Sequence, residues 1–86
     1  MKIRLKQYGD ILTSRPAGRE AFLAASAYFA FPPPPEPIEL DFEGVNVLAP
    51  SWADEFLSGL KSKYQNPVRI LPTTNASVIE SLKILE

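Results

Sequence analysis

The first part of the chain alternates apolar and basic residues, which predicts a strand over residues 2–6. Ile3 and Leu5 would face a core, and the basic residues on the opposite face are Lys2, Arg4 and Lys6. A second alternation at residues 38–42 predicts another strand, whose outward residues are all acidic: Glu39, Asp41 and the following Glu43. Because opposite charges attract across neighbouring strands, we expect these two strands to pair, in parallel since a helix lies between them.

The segment between these strands carries apolar residues at three- and four-residue steps, which predicts a helix. Residues 7–13 are predicted to form a loop, and the helix to begin at Ser14-Arg15-Pro16, with a hydroxyl cap and an early proline. Its core-facing stripe would comprise Ala17, Ala21, Phe22, Ala25, Tyr28 and Phe29. The prolines that follow, at positions 32–35 and 37, exclude helix and predict an extended connector. A proline-rich ligand for an aromatic groove is the less favoured interpretation of this connector.

A second helix is predicted to start at Ser51, because Ser51-Trp52-Ala53-Asp54 places an acid three residues after a hydroxyl, as in a capping box. Its apolar stripe runs through Ala53, Phe56, Leu57, Leu60 and Tyr64. A third strand over residues 68–71 follows. Asn75 would cap a last helix with the inward residues Val78, Ile79, Leu82 and Leu85. The order βαβαβα predicts an α/β fold in one domain, residues 1–86, with a small, mainly parallel sheet, helices predominantly on one face, and a polar face left wet or open to a partner.

The composition limits the classes of function that the chain is expected to have. The 86 residues are 45% apolar and 22% charged, with a formal net charge of −1, so a nucleic-acid partner is not expected. The chain has no histidine and no cysteine, so the usual general base, thiolate nucleophile and zinc ligands are missing. We therefore expect no enzyme activity, no metal and no cofactor. Neither a signal-peptide core nor a membrane-spanning run is apparent in the sequence, which predicts a cytoplasmic protein.

Two positions carry candidate chemistry. Asp41 and Glu43 lie on one strand face and could hold Mg²⁺, although ion pairing with the first strand is the favoured interpretation. Ser51 lies at a predicted helix N-terminus, where an added phosphate would be stabilised, and a plain helix cap is the favoured alternative. Trp52 beside it would be either partly buried or an exposed interface anchor.

The run from Ile38 to Leu57 resembles the core segment of small STAS-like proteins, in which LDF-x-GV and an apolar step precede S-[FW]-ADEF and a helix. The segments 14–19 and 71–75 are also similar to that family. The resemblance implies a bacterial relative of the anti-sigma-factor antagonists, whose kinase-like partners phosphorylate a serine at the start of the helix after a core strand. Ser51 lies at about that place. Ala49-Pro50-Ser51 stands where those proteins have Asp-Ser, and a simple alignment puts Pro50 on the phosphoacceptor position.

Three hypotheses follow. The favoured one is a regulatory protein-interaction module that binds a protein partner, such as a histidine-kinase-like ATPase or an anti-sigma factor, through Pro50, Ser51, Trp52, Asp54 and Glu55. The second is a sensor of a small ligand, nucleotide or anion at the same helix N-terminus, with Arg15 and Arg19 as possible anion contacts. The third is an enzyme with a carboxylate-only mechanism built from Asp41, Glu43 and Asp54. A homodimer, in which a second copy covers the polar sheet face, is compatible with each.

Overall fold

A computed structural model describes residues 1–85, so Glu86, the last residue of the predicted domain, lies outside the described residues. Strands and α-helices follow one another along this range, and a 3₁₀ turn at Leu5–Tyr8 separates the first two strands. The elements are β1 (Lys2–Arg4), β2 (Ile11–Leu12), α1 (Arg15–Tyr28), β3 (Ile38–Asp41), β4 (Val47–Leu48), α2 (Pro50–Lys63), β5 (Val68–Ile70) and α3 (Ala76–Ile84).

The main sheet has the order β1-β3-β5 and is parallel throughout. Lys2 pairs with Glu39 and Arg4 with Asp41 along the strands, which confirms the expected pairing of a basic with an acidic strand. Ion pairs lie on this polar face, with Lys2 Nζ 3.9 Å from Asp41 Oδ2 and Arg69 Nη1 3.5 Å from Glu39 Oε2. The opposite face is apolar and is buried with the helices in one core, so the predicted α/β class with a mainly parallel sheet is confirmed.

A second, two-stranded parallel sheet pairs β2 with β4 and was not expected. One of its strands, β2, lies within the predicted loop 7–13. The first strand also ends at Arg4 instead of residue 6, because the chain turns into the 3₁₀ segment at Leu5 and passes through Gly9 with a φ of 123°. Strands of two residues are too short to show an alternating pattern, so the sequence offers no periodic signal for them.

Helix α1 begins as predicted, since the Ser14 hydroxyl accepts a hydrogen bond from the Ala17 amide at 3.1 Å. Its predicted core stripe needs correction at both ends. Ala17 is exposed and Tyr28 is 81% exposed, whereas Gly18 is buried. The helix is rotated toward Gly18 because the backbone of α2 approaches there: a Cβ on Gly18 would lie 2.5 Å from the Trp52 carbonyl oxygen.

The proline-rich connector is non-helical, as predicted, but it contains a turn at residues 34–35 and is not extended throughout. Asn66, which is buried, donates from Nδ2 to the carbonyl oxygens of Pro32 (3.0 Å) and Glu36 (2.8 Å). Since one side chain binds both ends of the connector, the chain between them must bend.

Helix α3 is capped by Asn75, whose Oδ1 accepts from the Val78 amide at 3.1 Å, as predicted. Val78 is buried as expected, but Ile79 is 43% exposed, so its predicted inward position is wrong. Ser81 is buried instead and donates to the carbonyl oxygen of Leu48 in β4. Ser77 also bonds to the Leu48 backbone, so hydrogen bonds to β4 fix the rotation of this helix.

Candidate functional site

The start of α2 differs from the predicted capping box. The helix begins at Pro50, and Ala49 occupies the N-cap position in an extended conformation, without a side-chain cap. Proline suits the first helical position because its missing N–H would have no partner there. Ser51 therefore lies within the first turn, and its hydroxyl donates to the Thr13 carbonyl oxygen at 2.9 Å. The prediction that Ser51 caps the helix is wrong; its hydroxyl instead ties α2 to the segment that precedes α1.

An ion cluster joins the first turns of α1 and α2. Arg15 Nη1 lies 2.9 Å from Asp54 Oδ2 and 3.3 Å from Glu55 Oε1. Ser58, one turn further along α2, donates to Asp54 Oδ1 at 3.2 Å. The hydrogen bond from Arg15 lowers the pKa of Asp54 below its ordinary value, with Ser58 adding to the effect. Hydrogen bonds to Asp54 and then Glu55 raise the pKa of Arg15, so Arg15 and Asp54 are both charged at neutral pH.

Trp52 lies in the core and is 1% exposed. Its ring stacks on Phe56, with centroids 5.2 Å apart and an interplanar angle of 11°. The idea that Trp52 is an exposed partner contact is therefore wrong. The bulk of the indole fills the space beneath the start of α2, where Gly18 lets α1 approach closely.

The other predicted contact residues share one accessible patch. Pro50, Ser51, Asp54 and Glu55 are each partly exposed at the first turns of α2. Together with Arg15 they form what we call the α2 N-terminal surface. The contribution of Arg15 to this cluster was not foreseen, although the spacing of Ser51, Asp54, Glu55 and Ser58 on one helical face would have indicated where a basic partner is needed. Arg19 lies next to this surface, in a shallow groove shared with Glu55 and Ser58.

The three carboxylates proposed for an enzyme are not gathered in one cluster, although the two proposed for Mg²⁺ share a groove. Asp41 and Glu43 line a groove on the polar sheet face together with Lys2. Asp41 Oδ1 also accepts from the Glu43 amide at 3.0 Å, and its other oxygen pairs with Lys2. Asp54 is engaged by Arg15 and Ser58 on α2 instead. Within residues 1–85 no group of three or more acidic, histidine or cysteine side chains is placed to hold a metal ion.

The parallel strands, the helices on one face of the main sheet and the polar start of α2 define a small α/β domain of the STAS-like kind. A family model for the STAS-like domain of unknown function (DUF4325) matches residues 31–79. The chain belongs to this family. The match runs from the connector through β3, β4, α2 and β5 into α3, and so includes most of the α2 N-terminal surface. Searches of curated proteins and of solved structures returned no match. None of the helices within residues 1–85 has the length and apolar character needed to cross a membrane.

Proposed function

We propose that this chain is a non-catalytic protein-interaction module of bacterial regulation, which works in the cytoplasm. It engages a protein partner, such as a histidine-kinase-like ATPase or an anti-sigma factor, through the α2 N-terminal surface. The observation that supports this most directly is the placement of Ser51, Asp54 and Glu55, which are partly exposed side by side above a rigid core. Polar groups held on a buried scaffold suit recognition, because little side-chain freedom is lost on binding.

The contact of Ser51 supports a switch at this surface. Its hydroxyl proton is donated to the Thr13 carbonyl, so a phosphate on this oxygen would remove the hydrogen bond. A phosphate also carries a charge of about −2, close to Asp54 and Glu55 on the same helical face. Arg15 already pairs with both carboxylates, so added negative charge would weaken the junction of α1 and α2. The modified surface would then present a different shape and charge to the partner.

The test is a pull-down from lysate of the native host, with and without ATP, read by mass spectrometry. Ser51→Glu adds charge at the surface, and Ser62→Glu adds the same charge at an exposed position near the other end of α2. We expect a protein that the wild type and Ser62→Glu retain and that Ser51→Glu loses. Retention of the same proteins by all three chains would place any interface elsewhere and contradict the proposal.

An anion-sensing role is the second candidate, because no side chain caps the first amides of α2. The carboxylates of Asp54 and Glu55 weigh against it, since they repel an anion at the same place. Thermal unfolding with added phosphate or ATP separates the two functions. A rise in the melting temperature that Arg15→Gln reduces would favour the sensor, and no rise at millimolar ligand favours the protein-interaction module.

A further inference from the structure

Helix α1 carries a mainly apolar strip on part of its exposed side. At 3.6 residues per turn, this strip spans an arc of roughly 140° on the flank away from the exposed Arg15 and Arg19, and its residues are mainly apolar. They are Pro16, Ala17, Glu20, Leu23, Ala24, Ala27 and Tyr28, and all are exposed. We call this set the α1 outer face. Leu23 is 51% and Tyr28 81% exposed, and Glu20 is the single charged residue of the set.

The apolar surface continues beyond the helix. Ile11 of β2 is 62% exposed and lines a shallow groove with Ala17, Glu20 and Ala24. Ile11 also pairs with Val47 of β4, another exposed aliphatic residue. A surface helix normally carries charged residues opposite its core stripe, and a helix that is apolar all round is normally buried. This continuous apolar surface therefore has the character of an interface.

We infer that a second copy of the chain covers the α1 outer face, with the two α1 helices packed antiparallel about Ala24. In this arrangement Ala24 meets Ala24 of the partner, and the small side chain lets the helices approach closely. Glu20 and Tyr28 are each four residues from Ala24, so Glu20 of each copy lies opposite Tyr28 of the other copy. Each tyrosine hydroxyl donates to a carboxylate, which satisfies the only charge on the face.

This self-complementarity is what selects a second copy as the occupant. A two-fold axis at Ala24 sets the residue four positions before it against the residue four positions after it, and in this chain that brings a carboxylate acceptor to a hydroxyl donor on both sides of the axis. A parallel pair of helices would set Glu20 against Glu20 and leave Tyr28 without its acceptor. The α1 outer face lies on the flank of α1 opposite Arg15, so this dimer leaves the α2 N-terminal surface open. It does not depend on the function proposed above.

Disulfide crosslinking tests the arrangement directly, because the chain has no native cysteine. Ala24→Cys places the thiols of two copies together at the centre of the interface, within the reach of a disulfide. Ser62→Cys, at an exposed position on α2, is the matched control. We expect Ala24→Cys to form a covalent dimer at least tenfold faster than Ser62→Cys under mild oxidation. Equal rates for the two variants would overturn the inference.

Sedimentation velocity over a range of concentrations supplies the second measurement. We expect the wild type to dimerise reversibly and Ala24→Lys to raise the dissociation constant at least tenfold, since the substitution sets two lysines against each other at the centre of the interface. Glu20→Gln and Tyr28→Phe should each weaken the dimer. Because the two residues contact each other, the double variant should lose less binding free energy than the two single variants lose in sum. A wild type that stays monomeric at about 1 mM, where a dimer with a dissociation constant of about 1 mM would be half formed, overturns the inference, as does a dimer that Ala24→Lys leaves unchanged.

Discussion

A close backbone contact between α1 and α2 depends on the missing side chain of Gly18. A Cβ at this position would lie 2.5 Å from the carbonyl oxygen of Trp52 and 3.0 Å from its Cα, so backbone would have to move. We predict that Gly18→Ala destabilises the protein by about 1–2 kcal/mol, because overpacking against backbone costs about 2–3 kcal/mol and alanine gains only roughly 1 kcal/mol over glycine in a helix. Urea unfolding followed by the fluorescence of Trp52 measures the change.

The control for this prediction is Ser62→Ala, which changes an exposed position of α2 where nothing is displaced. It should leave the free energy of unfolding unchanged to within about 0.5 kcal/mol. A Gly18→Ala variant as stable as the wild type would mean that the two helices can separate at this point without loss.

The ion cluster of Arg15 makes a pH-dependent contribution to the stability of the fold. The pKa of Asp54 is lower in the folded protein than in the unfolded chain, because Arg15 and then Ser58 donate to its carboxylate. The contacts of the Asp54 carboxylate therefore stabilise the fold fully above its unfolded pKa, about 3.8, and that contribution is lost as the pH falls through the lowered pKa of the folded state. We predict that an NMR titration of the Asp54 carboxyl gives a lower pKa in the wild type than in Arg15→Gln.

Two further variants make the titration specific. Ser58→Ala should raise the pKa of Asp54 by less than Arg15→Gln does, because Ser58 makes the smaller contribution. Lys83→Gln removes a positive charge on α3 and should leave the pKa of Asp54 unchanged. If all the variants titrate like the wild type, Arg15 does not hold Asp54 in solution.

At the scale of elements, Asn75 attaches α3 to the segment that leads into β4 while it caps the helix. Its Oδ1 accepts from the Val78 amide, and its Nδ2 donates to the carbonyl oxygens of Val45 (2.8 Å) and Asn46 (3.3 Å). We predict that Asn75→Ala lowers the free energy of unfolding by about 1–3 kcal/mol, since it removes both the cap and the donated bonds. Asn75→Ser keeps an acceptor for the cap and should lose less. Chemical denaturation of both variants distinguishes the two roles, and equal losses would mean that the cap contributes nothing.

The alternation around Ile3 and Leu40 was enough to predict the paired strands β1 and β3, because charge and burial there follow the same period of two. Helix starts at Ser14 and Asn75 were also predictable, since a side-chain cap is a local interaction. The rotation of a helix about its own axis was not predictable from the sequence. Tyr28 and Ile79 are apolar at helical spacing, yet both are exposed, because Gly18 and Ser81 have contacts in other elements that fix the buried side.

The candidate site shows the same division between local and distant interactions. Ser51, Asp54 and Glu55 share a helical face, and that much follows from their spacing alone. The hydrogen bond from Ser51 to Thr13 and the ion pairs with Arg15 join residues 38 to 40 positions apart, so no local pattern could show them. The sequence left Trp52 open between burial and exposure for a related reason, since its burial depends on the approach of α1 and not on its own neighbours in sequence.

On the scale of the whole molecule, the two sheets share one core. Leu12 of β2 and Leu48 of β4 are buried in the same cluster as Ile3 and Leu40 of the main sheet, with Trp52 and Phe56 of α2 among them. Neither sheet could keep its apolar side chains from water without the helices that cover both. The small sheet should therefore unfold together with the rest of the protein, as one cooperative unit.

Matched substitutions in the two sheets test this cooperativity. Leu12→Ala and Leu40→Ala each remove a fully buried side chain, and we predict that each lowers the free energy of unfolding by about 2–5 kcal/mol without changing the denaturant slope. Ile11→Ala, at the exposed neighbour of Leu12, is the control and should change it by less than about 0.5 kcal/mol at a dilute protein concentration. Far-ultraviolet circular dichroism and Trp52 fluorescence should give coincident curves for every variant. If Leu12→Ala separated the two curves or left the main transition in place, the second sheet would be an independently stable addition to the three-stranded one.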